Sequence, residues 1–205
     1  MNKKIVIAII GKSGAGKDTF AYALTAVNNW NFITLSTTRP PRDYEVNGNE
    51  YYFLNNEDFR QKLIREEILA HKVFNDWHYG IDVNTLVDGV NVVVISPGGL
   101  HQLWEYAENH DDVIVLSYYL WVHDRVRIER QLRRECAPDI HEICRRFLAD
   151  EDDFKPYRLD PDELAEKYHG MRRFVDDDGT GHLFMAREIQ NDVQQIVSSW
   201  TEVDN

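Results

Sequence analysis

Residues 5–19 read IVIAIIGKSGAGKDT, an apolar and largely β-branched run that passes directly into a glycine-rich loop. A continuous apolar run of this kind is typical of a strand buried on both faces of a parallel sheet. Glycines let successive backbone N–H groups point inward at phosphate oxygens, and the following helix adds partial positive charge at its N-terminus. The stretch therefore predicts a strand, a phosphate-binding loop and a helix, in that order.

The loop, residues 11–19, matches the pattern G-x-x-x-x-G-K-[ST] except at its last position, where Asp18 stands. Lysine in this pattern reaches the β- and γ-phosphates, so Lys17 is a candidate catalytic residue as well as a ligand. The pattern predicts bound ATP; a plain glycine-rich turn is the alternative, which the strand-loop-helix context argues against. The candidate nucleotide-binding residues are Gly11, Ser13, Gly14, Ala15, Gly16, Lys17, Asp18 and Thr19.

Asp18 makes Mg²⁺ the expected metal cofactor, because a carboxylate is a hard, charged oxygen ligand that holds this ion directly or through water. It replaces the usual neutral hydroxyl, so we expect a stricter dependence on the metal. Two alternatives stay open. Thr19 takes over the part of the hydroxyl, or Asp18 only caps the helix, since aspartate suits a helix N-terminus.

Strands alternate with helices along the rest of the chain. Apolar runs predict strands at 32–35, 92–95 and 113–116. Helices are predicted at 17–27, 56–67 with Asn56 near the cap, 100–109, 123–153 with a break at Pro138-Asp139, 161–168 and 184–200. The remainder of 154–182 reads as irregular. This order predicts an α/β fold, with a P-loop NTPase-type, mainly parallel sheet flanked by helices.

Length and charge limit the classes of function. The 205 residues fit one globular domain, and the formal net charge of -12 argues against a nucleic-acid partner, because phosphate backbones are bound mainly by Lys and Arg. No apolar run is long enough to span a membrane, and the N-terminal one leads into the loop rather than a cleavage signal. Cys136 and Cys144 read as reduced thiols, so we expect a cytoplasmic protein. We separately expect a monomer or a homodimer.

A second anion-binding segment reads Ser36-Thr37-Thr38-Arg39-Pro40-Pro41-Arg42. The two prolines stiffen it, which fixes Arg39 and Arg42 at a three-residue spacing. The planar guanidinium fork donates two hydrogen bonds to one phosphate, so both arginines are candidates for phosphate binding. Tyrosine hydroxyls from the following aromatic segments, at Tyr51 and Tyr79, could add uncharged donors. Taken singly, each segment could also be an ordinary loop with solvated charge.

Together these segments resemble the guanylate kinase family. The matching elements are the loop at 11–19, the segment at 36–42, Glu45-Val46-Asn47-Gly48, Tyr51 and Tyr79-Gly80, in the family's order over approximately residues 1–150. The resemblance implies one domain that moves the γ-phosphoryl group of ATP to GMP or dGMP. Its implied parts are a core (1–35 and 85–122), a sub-domain that binds the nucleoside monophosphate (NMP) acceptor (36–84), a helical lid (about 123–153) and a C-terminal part of the core (154–205).

The resemblance also implies roles for individual residues. The acceptor's phosphate is expected to be held by Ser36, Arg39, Arg42, Tyr51 and Tyr79, with Arg39 also catalytic. Arg130 and Arg134 lie four apart on one helix face, and Arg146 lies on the next helix. By resemblance these three close over the transferring phosphoryl group. The alternative is a solvated helical surface on which they pair with Glu129, Glu135 and Glu142.

The residues that would read guanine are altered. The positions that match the family's polar readers carry Leu35, Ala70, and Val94 or Ser96. An alanine accepts no hydrogen bond from guanine, and an apolar pocket discriminates bases weakly. The acceptor could therefore be another or modified nucleotide, read by His71, Asp76 or Asp82 nearby.

Two other departures concern the metal and the adenine. Strand 92–95 lacks an acidic residue that would help position Mg²⁺, and Asp18 could compensate. Residues 154–172 read as an insertion, and 174–178 as the last strand with the acidic turn near adenine. The alternatives to an NMP kinase are a kinase of another phosphorylated metabolite and a non-catalytic scaffold module, which has no need of a phosphate loop.

Overall fold

The computed structural model describes residues 3–43, 45–134, 138–176 and 181–203, which form two compact units. The first contains the described residues of Met1–Ile10 and Ala21–Ser117, and the second those of Gly11–Phe20 and Tyr118–Asn205. The predictions that involve Glu135, Cys136 and residues 177–178 fall outside the described residues. The division into core, acceptor sub-domain and lid stays a prediction.

Strands and helices alternate along the described residues. The strands are β1 (Lys4–Ile10), β2 (Asn31–Phe32), β3 (Ser36–Thr37), β4 (Tyr52–Phe53), β5 (Ile68–Phe74), β6 (Trp77–Asp82), β7 (Gly89–Val94), β8 (Val113–Trp121) and β9 (Arg172–Val175). The helices are α1 (Lys17–Asn28), α2 (Asn56–Ile64), α3 (Pro97–Glu108), α4 (Asp124–Arg134), α5 (Ile140–Asp153), α6 (Pro161–Lys167) and α7 (Gly181–Val203). None of these helices is long and apolar enough to cross a membrane.

The first unit is built on parallel strands in the order β2-β7-β1-β8. Strand β1 pairs in parallel with β7, so that Ile5 lies opposite Val90 and Ile9 opposite Val94, and β2 pairs in parallel with β7 on its other edge. Every residue from Ile5 to Ile10 is fully buried, as its continuous apolar sequence requires. The prediction of an α/β fold with a mainly parallel sheet is confirmed.

A second sheet of the first unit, in the order β4-β3-β6-β5, carries the segment at 36–42. Strands β5 and β6 form an antiparallel hairpin whose tip, Asn75-Asp76, has φ of 50° and 61°. Both tip residues have the positive φ that suits a tight hairpin turn. The sequence analysis missed this hairpin, because a register shift between Leu69 and Lys72 interrupts the alternation of apolar residues.

Several predicted boundaries in the first unit are wrong. Only Phe32 of the strand expected at 32–35 lies in a strand, because β2 ends there and β3, in the other sheet, begins at Ser36. Helix α2 is capped by Asn55, whose side chain accepts from the Asp58 N–H, and it ends at Ile64. Helix α3 begins at Pro97, earlier than expected, because Ser96 caps it and proline fits a first helical turn.

In the second unit, α4 and α5 confirm the charged helical segment and its break at Pro138-Asp139. Asp139 caps α5 by accepting from the Glu142 N–H. The prediction that 154–182 is irregular outside 161–168 is wrong at β9, which pairs in parallel with the end of β8. In this pairing Tyr118–Trp121 lie beside Arg172–Val175. Strand β9 therefore depends on contacts between residues that are far apart in the sequence.

Candidate active site

The phosphate loop lies in the second unit and leads from β1 into α1. Gly14 and Gly16 have φ of 80° and 89°, a left-handed backbone that glycine adopts without strain. The Ala15 N–H donates to the Lys12 carbonyl at 3.1 Å, which closes the turn. A Cβ on Gly11 would lie 2.6 Å from the Leu120 carbonyl oxygen, so that position requires glycine for space.

Lys17 is the first residue of α1, and its side chain folds back over the loop. Its ammonium group donates to the Lys12 carbonyl at 3.4 Å. Burial lowers the pKa of Lys17, and the nearby carboxylates of Asp18 and Asp150 partly offset that effect. This half-buried ammonium lines a cavity and makes one long hydrogen bond, so it retains donors for a phosphate group.

The loop and helices α4 and α5, the predicted lid, line a single cavity of about 790 Å³. Asp18 and Thr19 lie on its wall next to Lys17. The lid arginines predicted from sequence, Arg130, Arg134 and Arg146, all line this same cavity. The structure therefore brings the loop, the candidate metal ligand and three candidate catalytic arginines together within one unit.

Arg130 touches both the loop and the segment after β9. Its Nη1 donates to the Ala15 carbonyl at 3.2 Å, and its Nη2 lies 3.4 Å from the Asp176 carboxylate. Asp176 is fully buried, and its Oδ2 lies 3.2 Å from Nε2 of His182, a residue that sequence analysis missed. Burial lowers the pKa of His182, so the ring is biased toward its neutral form.

Arg146 is paired with a carboxylate on its own helix. Its Nε donates to Glu142 Oε1 at 2.6 Å, and Arg145 binds the same carboxylate. The bonds from Arg145 and Arg146 lower the pKa of Glu142 to about 2, so this acid is ionised at neutral pH. The pairing that the sequence analysis named as an alternative is thus present, and Arg146 lines the cavity at the same time.

The predicted acceptor residues lie in the first unit, around Arg39. Its Nη2 donates to Glu45 Oε1 at 2.7 Å and its Nη1 to the Pro40 carbonyl at 2.9 Å. The guanidinium carbon lies 5.4 Å from the centre of the Tyr51 ring, which packs edge-on against Tyr79. The Glu45 bond raises the pKa of Arg39, so the guanidinium is cationic at all relevant pH values.

The other two predicted acceptor residues differ in exposure. The side chain of Arg42 is exposed, and its backbone N–H donates to Glu45 Oε2 at 2.8 Å. Glu45 therefore fixes both predicted arginines, one through the side chain and one through the backbone. Ser36 is buried in β3, between Tyr52 of β4 and Gly80 of β6.

The positions that match the guanine readers also lie in the first unit. Ala70 is buried at the β5 irregularity with φ of 54°, and Ser96 is occupied as the cap of α3. His71 Nε2 lies 2.8 Å from His78 Nδ1, with the two rings stacked. Asp82 binds Lys62 at 2.7 Å, so it serves local structure.

Sequence analysis missed a buried charge cluster at Ser13. Arg127 is fully buried, donates to the Ser13 carbonyl, and shares α4 with Arg130 three residues later. That i,i+3 spacing is the one sequence signal that could have found it, because both side chains then lie near one helix face. Asp150 completes the cluster from α5 by accepting from the Ser13 N–H.

Gly14→Ala is expected to damage the loop. A Cβ at Gly14 would lie 2.5 Å from the Arg127 carbonyl oxygen, and the φ of 80° strains any L-residue. We expect a loss of about 1–3 kcal/mol in the free energy of unfolding, with weaker ATP binding. Chemical denaturation and ATP titration measure the two effects.

The matched control is Gly98→Ala in the first turn of α3, where a Cβ meets nothing within 4 Å. Alanine is the better helix former, so this variant should retain stability and ATP affinity. If both substitutions behaved alike, steric exclusion at Gly14 would be refuted.

Comparisons with known proteins relate the sequence to one family. The family model for guanylate kinase matches residues 2–92. The guanylate kinase of Synechococcus elongatus is 30% identical over 149 residues, which cover 70% of this chain and 79% of the relative. The guanylate kinase of Clostridium perfringens strain 13 is 38% identical over 98 residues, 45% of each chain.

A solved structure supports the fold. The crystal structure of guanylate kinase from Anaplasma phagocytophilum superposes with a TM-score of 0.58 at 19% sequence identity. The match covers 95% of this chain and 87% of the other.

Proposed function

The chain belongs to the guanylate kinase family and is a nucleoside monophosphate kinase, and on that premise we propose that it transfers the γ-phosphoryl group of ATP to GMP or dGMP. The observation that carries the proposal is the cavity of the second unit, which Lys17, Asp18 and the three lid arginines line together. In the reaction the bond from γ-phosphorus to the bridging oxygen breaks, and an oxygen of the acceptor's phosphate bonds to that phosphorus. ADP leaves and the acceptor becomes a diphosphate.

Electrostatic stabilisation accounts for most of the catalytic effect that this reaction requires from the protein. Phosphoryl transfer requires positioning and compensation of negative charge rather than a protein nucleophile. Lys17 and the backbone N–H groups of the loop bind the β- and γ-phosphates, and Arg130, Arg134 and Arg146 bind oxygens of the transferring group. Arg146 binds a phosphate oxygen in place of Glu142. Until then, its 2.6 Å hydrogen bond to Glu142 keeps the guanidinium in position.

Mg²⁺ fits the residues present. Asp18 and Thr19 line the cavity beside Lys17 and offer a carboxylate and a hydroxyl oxygen. Among the described residues there is no group of three or more metal-ligating side chains. That pattern suits Mg²⁺, which is usually held by one or two protein ligands together with phosphate oxygens and water. The bound ion would offset charge on the phosphates.

Asp18→Ser tests the metal assignment. Serine is the usual residue of the pattern, yet we expect lower activity and a higher Mg²⁺ concentration at half-maximal rate, by about tenfold, because one charged ligand is lost. Titration of the initial rate with Mg²⁺ at fixed ATP measures it. Asp18→Asn, which keeps the shape and removes the charge, should behave like Asp18→Ser. Equal or better activity of Asp18→Ser at low Mg²⁺ would contradict the role of Asp18.

The acceptor half of the proposal rests on Arg39 and its neighbours. Arg39, held by Glu45 at 2.7 Å and packed against Tyr51, is a preorganised anion site. One observation favours a second candidate, a nucleoside monophosphate with another or modified base. Ala70 has no side-chain acceptor at a position expected to read guanine, so the base preference could be relaxed or changed.

The test is ADP release with ATP and Mg²⁺ over a panel of ribo- and deoxynucleoside monophosphates that includes modified bases. Turnover with GMP or dGMP well above the rest supports the proposal. Preferential turnover with another member supports the second candidate and identifies its base. ATP binding without turnover on any member would argue for another phosphorylated acceptor or a scaffold.

A further inference from the structure

A buried charge cluster holds the Ser13 peptide of the phosphate loop from both sides. Arg127 Nη1 donates to the Ser13 carbonyl at 3.0 Å. The Ser13 N–H donates to Asp150 Oδ2 at 2.7 Å, and the Ser13 hydroxyl lies 3.3 Å from Oδ1 of the same carboxylate. Arg127 and Asp150 are themselves 3.3 Å apart, which closes the arrangement.

Three further charges surround this arrangement. Arg127 Nη2 donates to Asp124 Oδ1 at 2.6 Å, and Glu151 lies 3.7 Å from the same nitrogen. Lys12, the residue before Ser13, is buried and bonded to Glu151. Two cations thus face three carboxylates around two consecutive residues of the loop.

Stability alone is a poor explanation for this cluster. Burying an arginine and its partners carries a desolvation cost that the ion pairs often fail to recover, and apolar residues of similar volume can be equally stabilising. Arg127 is 0% exposed, lies over the Phe147 ring at 5.1 Å, and has no partner for its Nε within the described residues. What this arginine supplies, and an apolar side chain would not, is a directed hydrogen bond to the loop.

The backbone at Arg127 constrains the next loop residue as well. A Cβ on Gly14 would meet the Arg127 carbonyl oxygen at 2.5 Å, so the loop lies in direct contact with α4 at this point. Fixing the Ser13 peptide and the path of Gly14 sets the direction of the following N–H groups, from Gly14 to Lys17. The Ser13 N–H is already satisfied by Asp150.

We propose that Arg127 and Asp150 are positioning residues, which fix the Ser13 peptide so that the N–H groups of Gly14–Lys17 are preorganised for the triphosphate. Neither side chain needs to touch the nucleotide. The inference uses the proposed function only in taking ATP as the ligand of the loop. In nucleotide-free protein, it predicts that two hydrogen-bonded loop amides exchange slowly because of this cluster: the Ser13 N–H, which donates to Asp150, and the Ala15 N–H, which donates to the Lys12 carbonyl.

The test uses three single variants, the double variant Arg127→Met/Asp150→Asn, and a control on the same helix as Arg127. Arg127→Met keeps an apolar stem and removes the guanidinium, Arg127→Lys keeps the charge, and Asp150→Asn keeps the shape of the carboxylate. Arg125→Met is the control, because the Arg125 side chain is 81% exposed and pairs only with Glu129 among the residues the structure describes. Each protein is measured for hydrogen exchange of the Ser13 and Ala15 amides without nucleotide, for the Kd of ATP with Mg²⁺, and for thermal unfolding.

Arg127→Met is expected to speed amide exchange across the loop and to raise the Kd for ATP by about 10–100-fold, since small misplacements of binding groups have effects of that size. Arg127→Lys should restore part of the affinity. Asp150→Asn should act in the same direction, and the double variant should fall short of the product of the single effects, because the two residues share one partner. Arg125→Met should match the wild type within about twofold.

The outcomes separate the possible failures. A lower unfolding temperature for Arg127→Met, with exchange and Kd unchanged, would show a purely structural role and overturn the inference. If Arg127→Met unfolds outright, normal exchange and ATP affinity in Asp150→Asn would overturn it instead. A wild-type protein that fails to bind ATP would refute the proposed function, while faster exchange in Arg127→Met would still support the positioning role.

Discussion

Lys17→Met should lower kcat by about 10³-fold or more while leaving the fold intact, because it removes the one loop cation that faces the transferring phosphoryl group. The Lys17 side chain is half-buried, and its ammonium makes a single 3.4 Å hydrogen bond within the described residues, to the Lys12 carbonyl. Methionine fills nearly the same volume without leaving a buried charge unpaired, so little stability should be lost. Initial rates of ADP release at saturating ATP and acceptor measure the effect.

Lys155→Met serves as its control. Lys155 is an exposed lysine of the same unit, in the short turn that follows α5, so its removal should leave kcat unchanged. A Lys17→Met enzyme with kcat within tenfold of the wild type would refute the assignment of Lys17 as the catalytic cation. Normal thermal unfolding of the variant is required for that conclusion.

Arg39→Met is expected to raise the KM for the acceptor by about 10–100-fold, because the acceptor's phosphate loses a pair of charge-assisted hydrogen bonds. The Kd for ATP should remain unchanged, because Arg39 belongs neither to the phosphate loop nor to the three lid arginines. Arg39→Lys should recover only part of the loss, since an ammonium cannot reproduce the planar fork. Arg60→Met, at an exposed position of α2 in the same unit, is the matched control.

The same variant has a consequence for acid stability. The bond from Arg39 holds the pKa of Glu45 below its usual value of 4.5. A carboxylate with a lowered pKa in the folded state contributes stability above its unfolded pKa, and that contribution is lost as pH falls through the folded value. The stability difference between the wild type and Arg39→Met should therefore shrink as pH falls below about 4.5. A difference that is constant from neutral pH to the acid range would contradict the pairing.

Local patterns predicted the centre of the fold. The run from Ile5 to Ile10 and the loop that follows are contiguous in sequence. Their defining features, buried apolar side chains and glycines with a left-handed backbone, can each be recognised from one residue at a time. The break at Pro138-Asp139 was predictable for the same reason. Spacing along one helix predicts a shared face for Arg130 and Arg134, whereas Arg146, on the next helix, was assigned with them only through the family resemblance.

Contacts between remote residues could not be predicted in this way. The Ser13 cluster joins positions separated by more than a hundred residues, and nothing near Arg127 in sequence indicates that its side chain is fully buried. The last strand was expected at 174–178 and β9 begins earlier, at Arg172, because a short strand that depends on β8 as its partner has no clear local boundary. The hairpin of β5 and β6 was missed because one irregularity near Ala70 breaks the alternation on which the method relies.

The Ser13 cluster also limits how α4 and α5, the helices of the predicted lid, could tilt. It binds α4 near its first turn, at Arg127, and α5 near its last, at Asp150, so both helices are anchored at the same end. Arg134 lies seven residues beyond Arg127, about 10 Å along the helix axis. A pivot of about 10° at this anchor would carry Arg134 through about 2 Å, enough to make or break a hydrogen bond, while displacing the loop itself far less. Any tilt of α4 about this anchored end would therefore move Arg134 farther than it moves the phosphate loop.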